Sequence, residues 1–540
     1  MFRWMRFALF AAATLACACG TQTDPGEGAL AGACVTDFSC PDGEECGPGG
    51  CQPVASTIYP HIQLASALLD SYADPADVAW RAAHYDLLIG ALHGHVDAFR
   101  GINPDVRLFE YVLVRRHPDE PGRNPGAQWA AAHGYDPEDF YIHYREDVDR
   151  PDLSGTTIVP GYPIGFVPGW NPDPAPGDPP ASATTRAQSR VPFTPGRLGM
   201  TFMPAVGNAG YRAFYTDFVA DILDGSFYGA PHASGPVEGI MCDVAVYYPE
   251  FDEGLVGRTG EYAGIPMDDN HPYSRAFETL YPELALRLGE DLGRTIDVMP
   301  NYGHVYFLEY DSPSSQNLQR TTPWGWGEVW LTYNSGSIPT RGNYRVITWE
   351  RDYNDAITSI VRRTRSGARR LLGARDQPLN GAGGSDRGRI LLLALYYMVH
   401  NHNTWFLYES MNNHGVGQTL PLSGWAWNAA VEFDIGRPVS IPEGSTDFDG
   451  RSGTNEHYVM AQGTDPVNAA LTFRVLARRF ENGLVLAKML PDGSATDDRS
   501  ITTHTLDGSY FVLQADGSLG PVITEATLRN NEGLILIPAD

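Results

Sequence analysis

Between residues 58 and 415, short apolar runs alternate with amphipathic stretches, and this alternation limits the possible folds more than any other feature of the chain. Strand-like runs separated by helical patterns are typical of β/α units around a parallel sheet. Strands are predicted at residues 58–64, 85–92, 106–114, 237–247, 295–301, 328–333 and 405–408, with a weakly marked seventh strand before the last. Helices are predicted at residues 75–84, 96–102, 211–223, 274–292, 353–372 and 389–400. The sequence therefore predicts an α/β fold, a (β/α)8 TIM-like barrel over residues 58–424.

The stretch from residue 115 to 205 interrupts this alternation with many Pro, Gly and Asp residues. An insertion of this length is usually functional or mobile. We expect it either to wall the mouth of the barrel, with aromatic side chains along a cleft, or to be a decoration without a binding role. The aromatic candidates are Trp129, Tyr141, Tyr162 and Trp170.

After about residue 425 the chain changes character. Short runs of alternating polarity are separated by Asp-Gly turns, which begin at Asp492, Asp507 and Asp516. This pattern is typical of antiparallel sheets. The sequence predicts a β-sandwich domain over residues 425–540.

The first 19 residues have the organisation of an export signal. A basic start precedes an apolar run too short to span a bilayer, and small residues and cysteine follow. This order resembles the lipobox of bacterial lipoproteins, in which the cysteine after the small residues is acylated; Cys19 fits it better than Cys17. We expect an exported protein that a lipid anchors at the bacterial outer membrane or cell surface, with ordinary cleavage as the alternative.

Residues 20–57 are predicted to form a spacer and a small disulfide-rich segment. Its four cysteines are Cys34, Cys40, Cys46 and Cys51. In an exported chain their spacing favours two disulfides over a metal site. Three pairings are possible, and we favour Cys34 with Cys46 and Cys40 with Cys51. Zinc is the alternative, although no histidine lies among these cysteines.

The charge balance and the motifs limit the partners. Against 65 Asp and Glu stand 38 Lys and Arg, and the formal charge of −27 repels phosphate backbones, so no nucleic acid is expected to bind. We find no phosphate-binding loop, serine-nucleophile elbow or dinucleotide fingerprint, and we expect no cofactor. His93 and His95 have no nameable third ligand, so no metal is expected. Cys242, inside an apolar strand, is expected to be a buried thiol.

Two parts of the chain resemble a group of bacterial glycoside hydrolases with barrel domains. Residues 211–247 resemble their helix and "DGIxxD" strand, with Glu238 at the first acidic position and Asp243 at the last. The stretches 478–486, 508–510 and 532–536 are similar to the terminal sandwich of the same enzymes. The resemblance extends over residues 58–540 in order and motifs. It implies hydrolysis of glycosidic bonds in an oligo- or polysaccharide, with Asp243 as a catalytic carboxylate.

Glycoside hydrolysis generally uses two carboxyl groups on opposite sides of the scissile bond. Asp243 is the first candidate, because barrels carry their reactive groups at strand ends. Glu328, among tryptophans at the start of the predicted sixth strand, is the second, with Glu309, Glu350 and Glu409 as alternatives. Side chains predicted to bind sugar hydroxyls or ring faces are Glu110, Asn301, Trp326, Trp349, Glu350, Tyr408 and Glu409.

Two other functions are compatible with the same features. The chain could be a surface carbohydrate-binding lipoprotein whose barrel has no catalytic activity. It could also be a structural lipoprotein in which the cysteine-rich segment is the interacting module and the barrel is a scaffold.

Overall fold

The computed structural model describes residues 44–47, 50–53, 62–68, 75–90, 92, 94–114, 125–141, 204–243, 272–301, 322–334, 357, 360, 364, 368–377, 386–410, 429–439, 442, 446–447, 457–489, 491 and 500–539. The predicted signal segment with Cys19 lies outside these ranges, and so do Cys34 and Cys40. No helix in these ranges is long and apolar enough to cross a lipid bilayer.

The first described element is an antiparallel hairpin of β1 (Glu44–Gly47) and β2 (Gly50–Pro53). Its register places Cys46 directly opposite Cys51. The side chains of Cys46 and Cys51 lie outside the described part of the structure, so the predicted pairing of Cys34 with Cys46 and of Cys40 with Cys51 stays a prediction.

Eight parallel strands of the described ranges close into a barrel. They are β3 (Ala65–Leu68), β4 (Leu87–Gly90), β5 (Arg107–Leu113), β6 (Gly239–Asp243), β7 (Asp297–Pro300), β8 (Trp324–Asn334), β9 (Arg369–Gln377) and β10 (Thr404–Ser410). One sheet has the order β3-β4-β5-β6-β7, and a second has the order β10-β9-β8. Parallel bridges from Asn301 to Trp326 and from Leu64 to Phe406 join the two sheets at both edges. The sheets together form the closed parallel barrel that the sequence predicts.

The interior of the barrel is filled by one apolar cluster to which all eight strands contribute. Along each strand these residues alternate with members of a larger outer cluster; on β5, Phe109 faces inward, whereas Leu108 and Val112 face outward. The interior residues are Ala65, Leu87, Ile89, Phe109, Met241, Met299, Trp324, Trp326, Leu371, Trp405 and Leu407. A step of one residue thus decides whether a side chain reaches the interior.

Charged residues and an indole close the lower end of the barrel, where the strands begin. Arg107 and Arg369, the first residues of β5 and β9, both pair with Asp297, the first residue of β7, at 2.5 and 3.6 Å. Their guanidinium carbons lie 5.3 and 5.4 Å from the ring centroid of Trp324, within cation–π distance. This end of a barrel usually serves stability, and we assign that role to the cluster.

The helices that flank the strands begin and end at recognisable signals. At the start of α4 (Ala209–Asp224) the Asn208 side chain accepts a hydrogen bond from the backbone N–H of Tyr211 at 3.0 Å. At its end Gly225 has φ 92°, a left-handed conformation that glycine adopts without strain. The α-helices whose bounds lie in the described ranges are α1 (Pro75–His84), α2 (Val96–Ile102), α3 (Pro125–His133), α4 (Ala209–Asp224), α5 (Pro272–Leu292) and α6 (Asp386–Tyr397).

The last residues of one predicted helix form a strand instead. The sequence predicts a helix over residues 353–372, whereas β9 begins at Arg369 and runs parallel to both β8 and β10. Two arginines followed by two leucines resemble the basic last turn of an amphipathic helix. So short an apolar run does not distinguish the 3.6-residue period of a helix from the two-residue period of a strand. Pairing with a strand on each side determines the extended conformation here.

The C-terminal part is an antiparallel sheet. Its strands are β11 (Thr446–Asp447), β12 (Tyr458–Thr464), β13 (Thr472–Phe480), β14 (Gly483–Lys488), β15 (Ile501–Leu513), β16 (Leu519–Arg529) and β17 (Glu532–Pro538). The register of β15 breaks between Thr505 and Tyr510, and only the later part pairs with both β16 and β17. Leu506 and Leu528 share an apolar core with Val475. The predicted β-sandwich is therefore one hydrogen-bonded sheet that folds over on its own core.

Helix α6 joins the barrel to this sheet. Arg478 of β13 is fully buried and donates to the carbonyl oxygens of Tyr397, at 2.6 Å, and His400, at 2.9 Å, at the end of α6. Its guanidinium carbon lies 5.2 Å from the ring centroid of Phe480. The last carbonyls of a helix have no partner within the helix, and a cation is favourable at this end. Arg478 of the C-terminal sheet thus provides hydrogen-bond donors for carbonyl oxygens at the end of α6.

Lys488, the last residue of β14, is a buried cation. Its amine donates to the carbonyl oxygen and the hydroxyl of Ser500 at 2.9 and 3.2 Å, and that hydroxyl donates to Asp465. Burial lowers the pKa of Lys488 to about 8, from an ordinary 10.5, because a low dielectric disfavours the charged amine. Between these values the unfolded chain binds more protons than the folded one, so this group makes the protein more stable as the pH rises.

The variant Lys488→Met tests this pH dependence. The melting temperature of the wild type, relative to that of the variant, is expected to increase between about pH 8 and pH 10.5 and to stay constant between roughly pH 6 and pH 7.5. Differential scanning fluorimetry of both proteins over this pH series measures the difference. The same difference at every pH would contradict the prediction.

Candidate active site

Asp243 lies at the upper end of the barrel, as the last residue of β6. It is two residues after the inward-facing Met241, and its side chain is half-buried. The hydroxyl of Tyr111 donates to Oδ2 at 2.6 Å, and the side-chain amide of Asn301 donates to Oδ1 at 2.7 Å. Donors from the two flanking strands thus orient both carboxylate oxygens.

The backbone and the core hold these three side chains in place. The N–H of Val114 donates to the carbonyl oxygen of Asp243 at 3.3 Å, and that of Asn301 donates to Cys242 at 2.8 Å, so the parallel ladder extends to the strand ends. The ring of Tyr111 packs against the interior cluster, and Asn301 is only 3% exposed. The apolar core therefore supports the polar groups from below.

This arrangement suits an ionised carboxylate. A carboxylate accepts hydrogen bonds through both oxygens, whereas a carboxylic acid donates through one of them. Directly behind it, burial and the charge of Asp243 raise the pKa of the Cys242 thiol well above its usual value. The thiol is buried, as the sequence predicts, and stays protonated.

The structure corrects the sugar-binding role predicted for Glu110. This residue is 1% exposed and lies on the outward face of β5, between Leu108 and Val112. Its Oε2 accepts a hydrogen bond from the backbone N–H of Leu92 at 3.1 Å. Glu110 therefore anchors the segment that follows β4 and does not face the barrel mouth.

Two predicted aromatic binders are core residues. Tyr408 is 3% exposed and belongs to the outer cluster between strands and helices, away from the barrel interior. Trp326 is also 3% exposed and belongs to the interior cluster. Its backbone bridges to Asn301, so its ring fills the barrel beside the site. Neither ring presents a free face to a sugar, which corrects both predictions.

The described side chains do not identify the second candidate carboxylate. Glu328 lies inside β8 and not at its start, since that strand begins at Trp324. The pairing of β8 with β9 shifts register between Gly327 and Leu331, so Glu328 lies at an irregularity of the kind that often occurs beside active sites. Residues whose side chains lie outside the described part of the structure are Glu309, Glu328, Trp349, Glu350 and Glu409.

Tyr111 contacts Asp243 but is not among the site residues predicted from the sequence. The predicted strand 106–114 contains it, and the residue predicted to bind sugar on that strand is its neighbour Glu110. Phe109 and Tyr111 are two residues apart and therefore share a face. Placing Phe109 in the interior would have identified Tyr111 as the polar side chain nearest the end of that face.

The described aromatic residues of the insertion pack against the protein body. The indole N–H of Trp129 donates to Asp217 of α4 at 2.8 Å, and Tyr141 is 4% exposed. Tyr162 and Trp170 lie outside the described ranges, and so does His93. Among the described side chains, no group of three His, Cys, Asp or Glu could hold a metal ion.

Comparison with known proteins gives only distant similarities. No family model matches the chain, and no curated protein matches it. Among solved structures, a trehalulose synthase MutB mutant in complex with sucrose has 10% identity and a TM-score of 0.43, with 89% of this chain and 99% of that chain covered. An isomaltulose synthase mutant from Erwinia rhapontici NX5 with D-glucose has 9% identity and a TM-score of 0.40, with coverage of 89% and 99%. The alpha-amylase from H. orenii has 8% identity and a TM-score of 0.37, with coverage of 88% and 99%. Similarity at this level is not evidence for a shared activity.

Proposed function

We propose that the protein is a glycoside hydrolase that cleaves an oligo- or polysaccharide with Asp243 as one of two catalytic carboxyl groups. The observation that carries the proposal is the position of Asp243, at the upper end of a closed parallel barrel with both oxygens held by Tyr111 and Asn301. Reactive groups of barrel enzymes occupy this end. The resemblance of the strand ending at Asp243 to barrel glycosidases supports the same role.

The hydrogen bonds of Asp243 favour the ionised partner of the carboxyl pair. In a retaining reaction one of its oxygens would attack the anomeric carbon while the second carboxyl group protonates the departing oxygen. In an inverting reaction it would take a proton from the attacking water. Both roles need a carboxylate with fixed oxygens, and two donors at 2.6 and 2.7 Å provide this.

The second carboxyl group must be a proton donor across the cleft. We propose Glu328 of β8 or Glu409 of β10, since both strands run to the same end of the barrel, with Glu309 and Glu350 as further candidates. A separation of about 5–5.5 Å from Asp243 would indicate retention, and about 6.5–9.5 Å would indicate inversion. Replacement of each glutamate by glutamine identifies the acid, because activity on substrates with good leaving groups survives its loss better than activity on poor ones.

The negative charge of the chain and its proposed export are compatible with a carbohydrate substrate outside the cell. The formal charge of −27 disfavours phosphate-rich partners, and hydrolysis by a carboxyl pair needs no cofactor. We further propose export and lipid anchoring through Cys19, so that the barrel acts at the bacterial surface. Labelling with a radioactive fatty acid, lost in Cys19→Ser, tests the anchor independently of the activity.

A hydrolysis screen tests the activity directly. The purified full chain is incubated with diverse polysaccharides and aryl glycosides, and the products and their initial anomeric form are followed by chromatography and proton NMR. Cleavage of at least one substrate is expected. Glycan binding without cleavage anywhere in the panel would instead favour the non-catalytic carbohydrate-binding lipoprotein, and no binding at all would favour the structural one.

A further inference from the structure

We propose, on the basis of the proposed function, that Tyr111 is the positioning residue of this site and that its hydroxyl aims the Asp243 carboxylate at the substrate. The hydroxyl donates to Oδ2 of Asp243 at 2.6 Å across 132 positions of sequence. A bond this short to a carboxylate is typical of a charge-assisted hydrogen bond, which is about twice as strong as a neutral one.

The surroundings of Tyr111 make it a rigid donor. Its ring packs against the interior cluster that includes Phe109 and Met241. This packing restricts the side-chain torsions of Tyr111 and thereby fixes the position of its hydroxyl oxygen relative to β6. The apolar part of the residue thus belongs to the core, while its polar end belongs to the site.

Asn301 and Tyr111 hold different oxygens of the same carboxylate from opposite sides. Asn301, directly after β7, donates to Oδ1, and Tyr111, on β5, donates to Oδ2. The outer torsion of an aspartate side chain is broad and roughly two-fold, so a single donor allows the carboxylate plane to swing. Two donors, one on each oxygen, fix the plane of the carboxylate.

The same contact also favours the charged form of Asp243. A donor to a carboxylate stabilises the ionised state, and its removal makes protonation easier. Loss of the hydroxyl is therefore expected to have two separate effects. The reaction slows because the carboxylate is aimed less well, and the acid side of the pH–rate profile moves to higher pH.

The test is Tyr111→Phe, which keeps the ring and removes only the hydroxyl. On the best substrate of the wild type, kcat is expected to fall by about 10- to 100-fold, as a misplaced reacting group would cause, while KM changes by less than about three-fold. The acid limb of kcat against pH is expected to shift to higher pH, because the variant lacks a donor that stabilises the ionised carboxylate. A structural role alone would lower the melting temperature without moving this limb.

Tyr215→Phe is the matched control. Its hydroxyl is buried on α4 and has no hydrogen-bond partner in the described part of the chain, so its loss should leave both kcat and the pH profile unchanged. A Tyr111→Phe enzyme with wild-type kcat and acid limb, alongside an inactive Asp243→Asn enzyme, would overturn the role of Tyr111 and leave the proposed function standing. A wild type without hydrolytic activity would overturn the proposed function itself.

Discussion

Replacing Asp243 with asparagine is expected to lower kcat by at least about 1000-fold, the range found when catalytic side chains are removed. Asparagine has nearly the same shape, and its oxygen can still accept a hydrogen bond from Tyr111 or Asn301. It carries no negative charge, so it can neither attack an anomeric carbon nor take a proton from water. The melting temperature should change by no more than about 3 °C, since each kcal/mol shifts it by about 2–4 °C in domains of about 150–250 residues and by less in larger ones.

Asp297→Asn is the control for a carboxylate in the same barrel. Asp297 lies at the opposite end and pairs with Arg107 and Arg369, and all three side chains are partly exposed. Its loss leaves two guanidinium groups without their common anion, which should cost about 1–2 kcal/mol in this partly screened setting. We expect a lower melting temperature with kcat within about three-fold of the wild type. Equal losses of activity in the two variants would remove the special role of Asp243.

The order of the barrel elements follows from the sequence because the apolar runs are bounded by polar turns. The predicted ranges 106–114 and 295–301 contain β5 and β7. Strand β9 was weakly marked because its apolar pair Leu371 and Leu372 is flanked by arginines and glycine. Its conformation depends on pairing with β8 and β10, which lie outside the short sequence window that a local pattern covers.

The face on which a side chain lies is harder to predict than the strand itself. Strands of a parallel barrel are buried on both faces, so a run such as that of β5 shows no alternation of polar and apolar residues. Glu110 and Tyr111 both interrupt it, and only the closed barrel shows which one faces inward. This one-residue difference separates a structural anchor from a contact of Asp243.

The contacts within the site cannot be predicted from local sequence patterns either, because the contacting residues are far apart in the sequence. Asn301 and Asp243 are 58 positions apart, and Tyr111 and Asp243 are 132 apart. The rule that strand ends converge predicts Asn301 and Asp243 as candidates. It does not predict which donor meets which oxygen, because that depends on the register of β5, β6 and β7.

Removal of the Arg478 side chain is expected to have the largest effect on stability. Arg478→Ala leaves the carbonyl oxygens of Tyr397 and His400 without this donor in a buried interface, and it opens a cavity against Phe480. Unsatisfied buried acceptors cost about 1–3 kcal/mol each, and the lost packing against Phe480 adds to this cost. We expect a loss of about 3–5 kcal/mol and a melting temperature lower by about 10 °C, measured by calorimetry.

The adjacent Arg479 provides the control for this prediction, because it differs from Arg478 in burial and not in type. Its side chain pairs with Asp507 on the surface, where the two side chains are 31% and 47% exposed. Surface pairs of this kind contribute about 0–1 kcal/mol, so Arg479→Ala should shift the melting temperature by only a few degrees. If Arg478 acts through α6, its loss should also separate the calorimetric transition of the C-terminal sheet from that of the barrel. Similar shifts for both arginines, with one shared transition, would show that the buried contact does not couple the two parts.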